Sequence, residues 1–225
     1  MARLPRLAIG GLPHLVVQRG HNGAPVFIDD EDRRRFLAAL REVALLQRVA
    51  VHGYVLLTGE VWLLVTPEQG EGLSRMMQAL GRRYVAGFNA RHGRSGTLWD
   101  GRFRAAPLDA ASEALPALLF IETLAQQRGA GDWSSLPHHL GRARDPLLSA
   151  APFYWALGNT PFDRESVWRR QLEEGLPVDH AQRLEQAARK GWALGSPAFL
   201  AQWAQTSERP LVPRPRGRPR KAAPG

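Results

Sequence analysis

The hydrophobic pattern changes period several times along the first half of the chain. A β-branched run over residues 15–18, following Pro13, predicts a short strand. Asp29 and Asp30 then stand where a helix N-cap belongs. Phe36, Leu37, Leu40, Val43, Ala44 and Leu46 recur behind them at three- and four-residue intervals, which predicts an amphipathic helix. Two apolar segments follow, 49–57 and 60–66, separated by the turn-forming pair Thr58-Gly59, and they read as a β-hairpin. Helical spacing returns over 72–91 through Leu73, Met76, Met77, Leu80, Tyr84 and Phe88, with Arg75, Arg82 and Arg83 on the polar face. A loop rich in Gly and Arg, 91–96, leads to a strand predicted from Leu98 to near Leu108, and then to a helix over about 111–125.

The order β-α-β-β-α-β-α predicts an α+β fold, a ferredoxin-like sandwich with a mainly antiparallel sheet and its helices on one face. The chain has 225 residues, 44% of them hydrophobic, enough for one good-sized core plus an appendage. Composition shifts after Gly129-Ala130-Gly131. Residues 132–205 read as loop-rich and then mostly helical, with Trp133, Phe153, Tyr154, Trp155, Trp168 and Trp192 as expected anchors. From Arg209 the chain is Pro/Arg-rich and is expected to be disordered by itself. The expected units are 8–126, 132–205 and the tail 209–225, and no internal repeat is visible.

Charge narrows the partner. There are 30 Lys+Arg against 21 Asp+Glu, a formal net charge of +9, which suits a nucleic acid and would also suit an anionic membrane or an acidic protein. Only Lys190 and Lys221 are lysines. The planar fork of arginine matches phosphate and guanine bidentately, although a GC-rich genome produces the same bias. Cysteine is absent, which excludes disulfides and thiolate metal sites. Residues 1–12 lack the uninterrupted apolar stretch of a signal peptide, and no run approaches the roughly 18 apolar residues of a membrane span. A cytoplasmic protein, with nucleoid association open to it and without a membrane partner, is expected.

The segment Val51-His52-Gly53-Tyr54-Val55-Leu56-Leu57-Thr58-Gly59-Glu60-Val61-Trp62-Leu63-Leu64 resembles the metal-binding hairpin of the REP-associated tyrosine transposases, which are HUH-type single-tyrosine enzymes of bacteria with an IS200-like domain. Further matches occur in the family's order and at similar spacing: Arg19-Gly20 with Asn22, Phe88-Asn89 before the 91–96 loop, Leu98-Trp99, and Gly101-Arg102-Phe103. Trp133-Ser134-Ser135, Lys190-Gly191-Trp192 with Leu194-Gly195, and the basic run 216–221 match its C-terminal region. Each match is weak alone, and the ordered set from about 13 to 221 is specific. The resemblance assigns 8–126 to the transposase-like domain.

In that family the second hairpin strand carries His-hydrophobic-His, and the period-2 geometry turns both imidazoles to one face to bind Mg²⁺ or Mn²⁺. Here the pair is Glu60 and Trp62. A carboxylate can still ligate such an ion, but an indole N–H only donates. The family's nucleophilic tyrosine and a third, amide ligand one turn later fall on Phe120 and Leu124, neither of which carries the needed oxygen. The resemblance therefore implies a degenerate site, with no catalytic residue and no metal or other cofactor expected, and with Trp62 packing on Phe120. Glu60 is expected to face solvent at the start of its strand. An intact relative would bind a palindromic-repeat hairpin with a guide sequence at its foot and cut beside it.

DNA contact is expected at Arg19, Arg91, Arg94, Arg102 and Arg104, with Trp99 and Phe103 offering stacking surface. A solvated charged face is the plain alternative. The tail from Arg209 adds six cations and no acid. Its stretch containing Arg214, Arg216, Gly217, Arg218, Pro219, Arg220 and Lys221 has the form of an AT-hook, in which Arg-Gly-Arg-Pro lies in a narrow minor groove; a basic tail binding any polyanion is the alternative there. His52, His92, His138 and His139 show no ligand spacing and are read as structural or surface residues. The expected function is binding of hairpin or single-stranded repeat DNA without cleavage, by a monomer or a dimer. Two alternatives stand beside it: an active transposase with a rebuilt metal site and Tyr84 as nucleophile, although the apolar spacing of Tyr84 favours a core role, and an RNA-binding module.

Overall fold

In the computed structural model, which describes residues 6–207 and 209–213, four strands form one sheet. These are β1 (His14–Arg19), β2 (Val49–Leu57), β3 (Glu60–Pro67) and β4 (Arg104–Pro107), in the spatial order β2-β3-β1-β4 with every pair antiparallel. Helix α1 (Asp30–Leu46) joins β1 to β2 and helix α2 (Gly70–Arg91) joins β3 to β4, which completes the ferredoxin-like arrangement. The hairpin closes where its turn residues place it, with Leu57 opposite Glu60 across Thr58-Gly59. Asp29 caps α1 by accepting from the Asp32 N–H at 3.0 Å, and Asp30, Glu31 and Asp32 load its first turn with negative charge, as the helix dipole favours.

The helices are not confined to one face. Val16, Val61, Leu63 and Val65 point to one side of the sheet and pack with Phe36, Leu40, Met76, Leu80 and Tyr84 of α1 and α2. Leu15, Val17, Val55, Trp62 and Leu64 point to the other and need a second cover. That cover begins with α3 (Ala114–Gln127) and continues with α6 (Pro161–Glu174) and α7 (Val178–Lys190), through Leu118, Ile121, Trp168, Leu184 and Ala188. The short α4 (Leu136–His139) and α5 (Pro152–Trp155) lie on the path between α3 and α6, and α8 (Pro197–Ala204) follows α7.

A register shift between Val51 and Gly53 keeps β2 apolar on both sides, so that Val51 and Tyr54 share one face. Glycine at 53 lets α3 approach, because a Cβ there would stand 2.4 Å from Leu118 Cδ1. Beneath α3 the fully buried Glu122 accepts from Ser135 Oγ at 2.5 Å, His139 Nδ1 at 2.6 Å and Trp168 Nε1 at 2.8 Å, and so ties α3 to α4 and α6. Of the expected anchors, Trp168 and Tyr154 are buried, whereas Trp155 is 57% exposed with Arg164 over its ring.

Two further differences from the sequence reading have local causes. The strand expected from Leu98 shrinks to 104–107, since Gly101 takes a left-handed φ of 71° and turns the chain. Only a bridge between Gly20 and Trp99 extends the pairing outward. Ordered packing also reaches into the tail at Leu211, which is 4% exposed and accepts from the Ala193 N–H at 2.9 Å. Among the described residues no helix is long and apolar enough to cross a membrane.

His14 supplies a test of this fold. It is wholly buried at the start of β1, donating from Nδ1 to the Leu12 carbonyl at 2.8 Å and accepting at Nε2 from the Ile9 N–H at 3.1 Å. Burial lowers its pKa to about 4. Between its ordinary value and about 4 the unfolded chain binds a proton that the folded chain refuses, so stability is full above that window and declines as pH falls through it. The expected loss is on the order of 3 kcal/mol. Urea unfolding as a function of pH should show that the His14→Gln variant lacks this decline.

Candidate functional site

Period-2 geometry on β3 turns Glu60 and Trp62 to the same face, and α3 lies over them. Trp62 is fully buried and meets Phe120 edge to face, with ring centroids 5.2 Å apart. Leu124, one turn further along α3, packs at the border of the same apolar cluster. Glu60 does not face open solvent. Its carboxylate accepts from Trp62 Nε1 at 3.0 Å and from Arg189 Nη2 at 3.1 and 3.2 Å, and Arg19 stands 3.6 Å away.

Arg189, near the end of α7, is the group that the sequence reading missed. Its guanidinium stands 5.0 Å from the Trp62 ring centroid and donates from Nε to Glu185 at 2.8 Å. Burial works against its charge, but the bond to Glu185 and the negative charge of Glu60 outweigh burial and raise its pKa. The available signal was the Glu185-to-Arg189 spacing of one helical turn on an otherwise amphipathic helix.

These residues do not fit a divalent cation. Glu60 has both oxygens engaged by donors, Trp62 offers an N–H and no lone pair, and Phe120 and Leu124 have no polar atom. A guanidinium already neutralises the only carboxylate of the set. Among the described residues no group of three or more His, Asp or Glu side chains is placed to hold a metal elsewhere.

Tyr84 is on the other side of the sheet. It packs among Phe27, Phe36, Phe88 and Trp99 and is 4% exposed. Its hydroxyl donates to the Val26 carbonyl at 2.5 Å, and burial raises its pKa above the ordinary tyrosine value. The fold separates this phenol from Glu60. Four of the seven histidines, those read from the sequence as structural or surface residues, make structural contacts: His52 with Ser149 and Thr66, His92 with Asp32, His138 with the Asp145 N–H, and His139 with Glu122.

The basic residues divide by environment. Arg91 clasps the start of α1, with Nη1 and Nη2 donating to Asp29 at 2.8 and 2.6 Å and Nη1 to Asp32 at 2.6 Å. This side-chain bonding lowers the Asp29 pKa to about 2. Arg94 lies over Phe88. Trp99 and Phe103 are 6% and 5% exposed, with Arg6 over the Phe103 ring at 4.1 Å, so neither presents the stacking face expected of it. Arg102 and Arg104 are exposed and have no side-chain partner among the described residues, and together with Arg19 and Arg189 they line one depression. Arg214, Arg216, Arg218, Arg220 and Lys221, and with them the AT-hook-like sequence, lie outside the described residues.

The Glu60–Arg189 pair joins β3 to α7. Replacing Arg189 with Ala should lower unfolding stability by about 1–3 kcal/mol, since Glu60 loses its main counter-charge. In a double-mutant cycle with Glu60→Gln, measured by denaturant unfolding, a coupling of about 1 kcal/mol is expected. A coupling of zero would show that the two side chains do not act together.

No protein-family model matches this sequence, and no curated protein matches it either. Solved structures do. A REP-associated tyrosine transposase bound to a REP hairpin is 15% identical, covers 67% of this chain and 92% of its own, and superposes with a TM-score of 0.52. A chain provisionally assigned as a transposase of Deinococcus radiodurans R1 is 16% identical, covering 56% of this chain and 98% of its own at a TM-score of 0.38. A bacterial tRNA(His) guanylyltransferase-like protein in complex with GTP is 14% identical, covering 56% and 66% at 0.37. At these identities the likeness concerns architecture: the chain shares the fold of the hairpin-bound REP-associated tyrosine transposase.

Proposed function

We propose that this chain is a relative of the REP-associated tyrosine transposases that binds hairpin or single-stranded DNA and does not cut it. The fold likeness and the ordered sequence motifs support the family. The observation that carries the loss of cleavage is the Glu60–Trp62–Phe120–Arg189 cluster. A phosphodiester transfer of this kind needs a tyrosinate in line with the scissile phosphate and a metal to polarise it. The cluster supplies an apolar ring at the first position and a saturated ion pair at the second. Tyr84 does not substitute, being buried on the opposite face with its proton held.

DNA binding is supported by the exposed cations beside this cluster and by the net charge of +9. The relative with the matching fold was solved on a REP hairpin, and we extend a DNA partner to this chain on that basis. The basic tail adds charge for the same purpose.

Incubation of the full chain with labelled single-stranded DNA and Mn²⁺ should yield no covalent protein–DNA adduct, while a gel shift with hairpin DNA should retard the probe. Retardation should weaken roughly a hundredfold or more between about 50 and 200 mM salt if four or more phosphates are contacted. A Tyr84-dependent adduct would overturn the loss of cleavage. Absence of binding to hairpin and linear DNA alike, or preference for RNA of the same sequence, would overturn the DNA reading.

A further inference from the structure

Three surface depressions meet at Arg102. The first, of about 200 Å³, is bordered by Arg102, Phe103, Arg104, Lys190 and Trp192. The second, of about 170 Å³, is bordered by Arg19, Asp100, Arg102, Arg104 and Arg189 and adjoins the Glu60 cluster. The third, of about 710 Å³, runs along α2 past Arg82 and is walled by Trp99, Arg102 and Phe103. They share Arg102 throughout, and the first two share Arg104 as well. β4 is an edge strand, so this surface passes around the end of the sheet, from the α7 side to the α2 side.

Arg82, Arg102, Arg104 and Lys190 are exposed and have no side-chain partner among the described residues. Elsewhere on this protein Arg35, Arg83 and Arg91 are paired with carboxylates, and Arg75, at the border of the third depression, is paired with Glu71. Among the described residues bordering the three depressions, Asp100 is the only acidic one. The cations are strung along connected hollows and do not converge on a point, which suits an extended polyanion better than a lone anion. Trp99, 6% exposed, forms part of the wall, and its buried indole N–H has no hydrogen-bond partner among the described residues.

We propose that a DNA strand follows this groove with Arg102 at its centre, and that Arg104 and Lys190 hold one of its phosphates in the hollow beside Trp192. The proposal rests on the DNA-binding reading above and adds a path to it. Lys190 and Trp192 arrive from the end of α7, and Arg102 and Arg104 from the approach to β4, so the hollow beside Trp192 is complete only when α7 is seated on the sheet. It accounts for cations at the sheet edge and assigns none of the contact to Arg91, whose charge is spent on Asp29 and Asp32.

The test compares the full chain with the triple variant Arg102→Gln/Arg104→Gln/Lys190→Gln. Its control is Arg41→Gln/Arg128→Gln/Arg170→Gln, which removes equal charge at exposed residues bordering none of the three depressions. Fluorescence anisotropy is read with a short oligodeoxythymidine, with and without a 5′-phosphate, across a salt series, and thermal unfolding confirms that each variant folds. The groove triple should bind at least tenfold more weakly, with a salt slope shallower by roughly 2, whereas the control should change far less. A loss confined to the 5′-phosphorylated strand identifies a terminal phosphate in the hollow, and an equal loss on both strands an internal phosphodiester; either supports the proposal. Wild-type binding that the groove triple leaves intact, or that the control weakens equally, overturns the groove and leaves the DNA reading standing. No binding by the wild type overturns both.

Discussion

Apolar side chains on both faces of β1 and β3 govern the construction of this protein. Full burial of Leu15, Val55, Trp62 and Leu64 contributes roughly 1.5–3 kcal/mol each, and helices α1 and α2 can reach none of them. Helices α3, α6 and α7 are organised by that second face. Glu122 shows the consequence. A carboxylate in the middle of an apolar helix is tolerable only when all its neighbours donate, and Ser135, His139 and Trp168 do so from the segments that cover α3. The same contacts that satisfy the charge fix where the C-terminal helices sit.

Arg189 is where this covering layer meets the sheet. A divalent ion and a guanidinium both neutralise a carboxylate, but they differ in what they leave available. An ion with open coordination positions can accept a substrate oxygen and exchange its water. A guanidinium is a donor with no vacant orbital, tethered to its helix, and its Nε and Nη2 are engaged by Glu185 and Glu60 while its plane lies over the indole of Trp62. At the joint between α7 and β3 the carboxylate of Glu60 is thus met by donors from the protein itself.

Much of the first half was legible in the sequence because its signals are local. The Asp29 cap, the Thr58-Gly59 turn and the helical spacing of Leu73 to Phe88 each specify an element without help from distant residues. Trp62 against Phe120 was legible through the family resemblance, which puts the two at neighbouring positions of one site. The two-sided sheet was also written there, as the unbroken apolar run Val61-Trp62-Leu63-Leu64-Val65, which alternation with solvent would not produce. Arg189 and Arg91 could not be read this way. Their partners lie 129 and 62 residues away, and whether an arginine is free for a ligand depends on which carboxylate the fold delivers to it. The burial of Trp99 and Phe103 is of the same kind: composition suggested open aromatic faces, and tertiary packing closed them.

The fit of Trp62 beneath Phe120 also has a bearing on the mutational paths open to this protein. Any smaller residue at 62 leaves a void under α3 and strips Arg189 of its ring. A change of chemistry at this position therefore begins by loosening the second face of the sheet.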